Sequence, residues 1–189
     1  MFVVNLFRQL MEGDCMGKKQ VNFFSIIILL IAVSSTSSQN AVASIVNNEN
    51  QSVGTILFHQ TDSGMVINFD LQGLPEGMLA VHIHNRGQCD PPEFSTAGEH
   101  FNPSGKQHGF LNSKGFHAGD LPNIKVDSTG NVKTSIRTQL TNLIKNDKNS
   151  LLTKEGTSIV IHAGVDDYIT SPSGGSGKRI ACGAIKEKK

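Results

Sequence analysis

From residue 43 onward, apolar and polar residues alternate in short runs; residues 65–71, Met-Val-Ile-Asn-Phe-Asp-Leu, are typical. In an extended chain residues i and i+2 share a face, so such a run buries one face and leaves the other to a different environment. The same pattern predicts strands at 43–46, 53–59, 65–71, 79–84, 124–127, 132–136, 158–162 and 180–185. Between two of them, Asp127-Ser128-Thr129-Gly130 is a hairpin turn signal. No long segment carries a 3.6-residue apolar period, so the expected fold is all-β, an antiparallel sandwich or barrel of eight strands. Two stretches break the pattern, 85–122 and 163–178, both rich in Gly, Pro, Ser and Asp. Loops of that length without structure of their own tend to carry function. Residues 139–156 have room for a helical turn.

The start of the chain reads differently. Met16-Gly17-Lys18-Lys19 is a short basic region, residues 23–33 (FFSIIILLIAV) are an almost uninterrupted apolar run, and Ala41-Val42-Ala43 is a small-x-small signature. Together they predict a secretory leader at 1–43, with translation starting at Met16 and cleavage after Ala43; the apolar run is too short for a membrane-spanning helix. Residues 44–189 are then the exported domain. The 189-residue chain has a formal net charge of +1, and the leader carries Arg8, Lys18 and Lys19 against Glu12 and Asp14, so the domain is formally neutral. That argues against nucleic acid or a polyanionic surface as partner. Of the three cysteines, Cys15 goes with the leader. Cys89 and Cys182 remain, and an even pair in an exported chain is most simply a disulfide, with free thiols or two metal ligands as the alternatives.

Histidine placement changes the picture most. The strand at 79–84 reads Leu-Ala-Val-His-Ile-His, which puts His82 and His84 on one face and Val81 and Ile83 on the other. Six of the seven histidines, His82, His84, His100, His108, His117 and His162, lie in or beside the two long loops. Asp120 follows His117 by three residues, Cys89 lies inside the first loop and Cys182 just after the second. Imidazoles and a carboxylate on loops pinned to a barrel suit a preorganised metal site; imidazole serves copper and zinc alike, and a carboxylate among nitrogens suits zinc. His59 falls in no such group and reads as an ordinary strand residue. Gly174, Gly175 and Gly177 do not form a phosphate-binding loop, because no helix pattern follows them.

With their surroundings, these residues resemble the copper/zinc superoxide dismutase family. HIH at 82–84, AGEHFNP at 97–103, KQHG at 106–109, HAGDLPN at 117–123, VIHAGVDD at 160–167 and GKRIACGAI at 177–185 stand in that family's order and cover the chain from about Val53 to Ile185. The resemblance implies an eight-stranded antiparallel Greek-key barrel with two functional loops. It implies one copper per subunit, held by His82, His84, His100 and His162, and one zinc, held by His100, His108, His117 and Asp120, with His100 shared. Asp166 matches the carboxylate that bonds one ligand of each metal, here His82 and His108. Arg179 matches the arginine that attracts and orients the anionic substrate, and Cys89 and Cys182 match the family disulfide. The implied reaction is dismutation of superoxide, an antioxidant defence, in which the His100 imidazole takes a proton and helps deliver it to the departing peroxide. His84 and Cys89 are five residues apart, and Cys89 and His100 eleven. That split resembles bacterial exported members, which points to the periplasm, the cell envelope or the outside of a bacterial cell. Dimer contacts differ between groups of the family, which leaves a homodimer open.

A non-enzymatic relative that buffers copper or zinc is the competing class. It would lack a ligand, and here all seven ligand positions are filled. A zinc hydrolase would need an open zinc position, which four protein ligands close.

Overall fold

A computed structural model describes residues 39–188. The predicted leader, with the Met16 start, falls outside them for all but its last residues. The strands are β1 (Asn40–Asn47), β2 (Ser52–Thr61), β3 (Gly64–Leu71), β4 (Gly77–Leu79), β5 (Val81–His84), β6 (Ile124–Val126), β7 (Val132–Thr138), β8 (Thr157–His162) and β9 (Arg179–Glu187). All ladders are antiparallel. Seven strands form one sheet in the order β5-β8-β9-β1-β2-β3-β7, and β4 and β6 form a second, short ladder.

Each of the eight expected strands is present, and one of them serves two sheets. The run 79–84 divides at Ala80, with Leu79 pairing to Ile124 in the short ladder and Val81 pairing to Ile161 in the long sheet. The turn at 127–131 likewise carries the chain from one ladder to the other rather than closing a hairpin, since β6 pairs with β4 and β7 with β3. At these two corners the chain passes between the edge strands β5 and β7 of the long sheet and the β4–β6 ladder, so the short ladder bridges the two edges along the chain. Residues 139–156 form turns and an isolated bridge between Asn142 and Ser150 instead of a helical turn. Their polar side chains bond locally to the backbone, as Asn142 and Asp147 do, which favours turns over helix.

The alternation seen in the sequence fills the barrel. Ala41, Ala43 and Ile45 of β1, Ile67 and Phe69 of β3, and Ile159 and Ile161 of β8 all point into one core. Strand β1 begins ahead of the expected domain start at residue 44: Ala41 and Ala43 are 1% and 0% exposed, Asn40 pairs with His59, and the Asn40 carbonyl accepts the Lys188 N–H at 2.8 Å. Ala41 and Ala43 are therefore core-lining residues of a strand that starts three residues before the expected one at 43.

Strands β5 and β8 are buried on both faces. Their inward residues join the core. Outward, Val160 of β8 packs with Phe94, Ala97 and Cys182 in a second apolar cluster, which the first long loop lays over the barrel wall. The Cys89–Cys182 disulfide ties that loop to β9. His82 and His84, on the same outer face as Val160, lie beneath the loops, outside the core.

Candidate metal centre

The pleat of β5 and β8 sends His82, His84 and His162 out of the wall, and the first loop brings His100, His108, His117 and Asp120 over them. An isolated bridge pairs His84 with His100 and another pairs His82 with Asp120. Ligand atoms of His84, His100 and His162 lie within 4.8 Å of one another, as do those of His82, His100, His108 and Asp120. His100 belongs to both groups. His117 joins through its Nδ1, 3.3 Å from His100 Nδ1 and 3.2 Å from Asp120 Oδ1.

Hydrogen bonds settle which nitrogen of each ring is free. His84 Nδ1 donates to the Gly98 carbonyl at 2.9 Å and His162 Nδ1 to the Gly177 carbonyl at 3.3 Å, because a carbonyl can only accept. His82 Nε2 binds Asp166 Oδ2 at 2.8 Å. The remaining atoms, His82 Nδ1, His84 Nε2, His100 Nε2 and His162 Nε2, are buried and, among the described residues, without a hydrogen-bond partner. A buried polar atom left this way costs about 1–3 kcal/mol, and three of the four belong to the His84, His100 and His162 group, while His82 groups with His100, His108 and Asp120. Burial holds His82 and His84 below the usual imidazole pKa, and moves His100 and His162 to about 4. The four rings are thus neutral lone-pair donors at neutral pH, the state that metal binding needs.

The second group is organised around one carboxylate. Asp120 Oδ2 accepts the backbone N–H of Gly109 and of His117, each at 3.0 Å. Its Oδ1 faces three imidazole nitrogens: His100 Nδ1 and His108 Nδ1 at 3.0 Å and His117 Nδ1 at 3.2 Å. Burial opposes ionisation of Asp120, but these imidazole contacts outweigh it and keep the carboxyl ionised well below the usual range. His108 already contacts Asp166 Oδ1 through Nε2 at 2.9 Å. Burial works against its protonation too, yet the bonds to Asp120 and Asp166 raise its pKa to about 9. Three imidazole nitrogens within 3.2 Å of one anionic oxygen call for positive charge beside it. A proton on His108 supplies it in part, and a divalent cation would satisfy all four atoms at once.

Asp166 spans the groups, with one oxygen on His82 and the other on His108. Its own backbone is framed by Asn123, whose side chain accepts from the Asp166 N–H and donates to the Asp166 carbonyl, both at 3.0 Å. Gly174, at φ +65°, lies against the Asp166 carboxylate, where a Cβ would collide with it. Ser176, fully buried, places Oγ 3.2 Å from His162 Nδ1. The sequence assigns no role to Asn123 and Ser176 and sets Gly174 aside as no part of a phosphate-binding loop; their roles depend on contacts with residues far along the chain. Arg179, half-buried, donates from its two terminal nitrogens to the carbonyls of Phe94 and Gly98, each at 2.7 Å. The Gly98 carbonyl therefore receives both Arg179 and His84.

Comparison with known proteins points to one family. The family model described as copper/zinc superoxide dismutase matches residues 52–185. A Cu-Zn superoxide dismutase of Aquifex aeolicus is 47% identical over 160 residues, 84% of this chain and 94% of that protein. One from Caulobacter vibrioides is 36% identical, over 78% of this chain and 86% of its own. The crystal structure of a superoxide dismutase-like protein from Bacillus subtilis superposes with a TM-score of 0.74 at 42% identity, covering 76% of this chain and 96% of that one.

Proposed function

Since the chain belongs to the copper/zinc superoxide dismutase family, we propose that its two histidine groups hold one copper and one zinc ion per chain. The protein converts two superoxide anions and two protons into dioxygen and hydrogen peroxide. Copper is assigned to His82, His84, His100 and His162, and zinc to His100, His108, His117 and Asp120. The observation that carries the assignment is the set of ring nitrogens: four buried atoms without a hydrogen-bond partner among the described residues, on His82, His84, His100 and His162, and three Nδ1 atoms around Asp120 Oδ1. When bound, copper supplies the one-electron redox couple, and zinc, which has no accessible redox state, supplies order in the loop.

The remaining work belongs to the chain's own residues. His100 faces one group through Nε2 and the carboxylate of Asp120 through Nδ1. Its Nε2 is the atom we assign to hold the proton that leaves with peroxide, a change of protonation state that imidazole alone among side chains offers near neutral pH. Asp166 fixes the orientation of His82 and His108 together. Arg179 has its fork set by two carbonyls, which aims a fixed positive charge at an incoming anion. With no net charge on the predicted domain, attraction of superoxide is local to this cleft.

Metal content and dismutation, measured on the purified protein before and after copper and zinc reconstitution, test the proposal. The expected result is close to one copper and one zinc per chain with fast, copper-dependent turnover. Zinc uptake without copper, or copper bound without turnover, would give the site a metal-handling role instead.

Export is part of the same proposal. It is supported by the Cys89–Cys182 disulfide and by the bacterial relatives. Because β1 uses residues 40–43, leader removal is expected ahead of Asn40. N-terminal sequencing of the secreted protein checks this, and a first residue of Ser44 would restore the cut after Ala43.

A further inference from the structure

The turn between β1 and β2 contains two neighbouring asparagines with different work. Asn47 closes the turn, its Oδ1 accepting the backbone N–H groups of Glu49 and Gln51 at 3.0 and 2.9 Å. Asn48 contributes nothing to that closure through its side chain. Its Nδ2 instead donates to the Arg179 carbonyl at 3.0 Å, 131 residues away, and to the Pro92 carbonyl in the first long loop. Both amide hydrogens are therefore spent on segments beside the metal centre.

This contact continues a ladder that has stopped. Strand β1 pairs with β9 at Val46–Cys182 and Asn47–Ala181, and no further rung is formed toward Arg179. The Asn48 side chain takes the next carbonyl of β9 in place of a backbone N–H. The same residue reaches Pro92, two positions before Phe94, whose carbonyl holds the Arg179 guanidinium. A closed circuit results: Arg179 carbonyl, Asn48 amide, Pro92 to Phe94, and back to the Arg179 guanidinium. It restrains the arginine at its backbone and at its tip.

We propose that Asn48 is a positioning residue for the reaction, holding the Arg179 backbone and the Pro92 segment together so that the guanidinium is preorganised for an anion. The proposal rests on the reading of Arg179 as the anion-contacting residue. Preorganisation of this kind raises anion affinity by lowering the ordering cost of binding rather than by adding a contact. A purely structural role for Asn48 would loosen the loop without passing through Arg179.

A double-mutant cycle on the copper- and zinc-reconstituted full chain separates these cases, with azide as the anion and its dissociation constant read by optical titration. Arg179→Ala is expected to weaken azide binding about 10-fold. Asn48→Ala is expected to weaken it about 3- to 10-fold when Arg179 is present, and by less than about 1.5-fold in the Arg179→Ala background. Thermal unfolding of each variant, and Asn48→Ser as a smaller change in the same turn, confirm that the fold is kept. Equal weakening in both backgrounds, or none in either, overturns the role of Asn48. An Arg179→Ala protein with unchanged azide affinity overturns the reading of Arg179 and, with it, the proposal.

Discussion

Asp120→Ala is expected to yield a protein that keeps copper and loses zinc. The substitution removes the carboxylate of the proposed zinc group and the oxygen that three imidazoles share. Outer-shell partners of a metal already contribute about 10- to 100-fold in affinity, so a ligand should contribute more than about 100-fold. It also leaves the backbone N–H groups of Gly109 and His117 without their acceptor, at about 1–3 kcal/mol each if no water replaces it. The copper group loses only the support of His100 Nδ1, because His82, His84 and His162 are oriented by Asp166, Gly98 and Gly177. Elemental analysis after dialysis against both metals decides the matter: zinc well below stoichiometric with copper near one per chain is expected. Full zinc occupancy would remove Asp120 from the ligand set. Asp120→Asn separates the two losses, since its side-chain carbonyl can still accept the backbone N–H groups.

The second large effect concerns stability. Replacing Cys89 and Cys182 together with serine opens a link that spans 93 residues. The chain-entropy model puts the gain in unfolded-state freedom at about 4–5 kcal/mol, an upper figure because residual structure reduces it. For a domain of this size that is a fall of about 10–15 °C in unfolding midpoint. The disulfide also pins the segment carrying Pro92, Phe94 and Gly98 to β9, and these carbonyls bond Asn48 and Arg179. Loss of anion affinity should accompany loss of stability. Denaturant titration of the double variant against the parent measures the first; a midpoint unchanged to within about 0.5 kcal/mol would mean that the link adds nothing to folding.

The strands were legible because a barrel wall imposes a two-residue period, and Met65 to Leu71 or Val132 to Ile136 could be placed from that alone. His82 and His84 were legible for the same reason, as two polar residues on one face of an otherwise apolar run. The start of β1 was misplaced because Ala41-Val42-Ala43 satisfies two patterns at once: small residues at a cleavage site, and small residues that fit a crowded barrel interior. The ligand histidines came from the ordered motifs, not from spacing, since Asp120 and His108 lie in irregular loops where no period operates. Asn48, Asn123 and Ser176 were out of reach. An asparagine that bonds a carbonyl 131 residues away has the same local sequence as one that only caps a turn.

The outward aim of the β5 histidines has an evolutionary consequence. Val81 and Ile83 belong to the apolar interior while His82 and His84 belong to the chemistry, and they share one strand only because its side chains alternate. Hydrophobic substitutions can accumulate inside the barrel without disturbing a ligand, and loops above the wall can lengthen or shorten without disturbing the interior. A one-residue slip of β5 as a whole is the change this arrangement cannot absorb, since it would turn both histidines into the oil and both aliphatics toward the loops. Lineages should therefore diverge freely in interior residues and loop lengths while the phase of this short strand stays frozen.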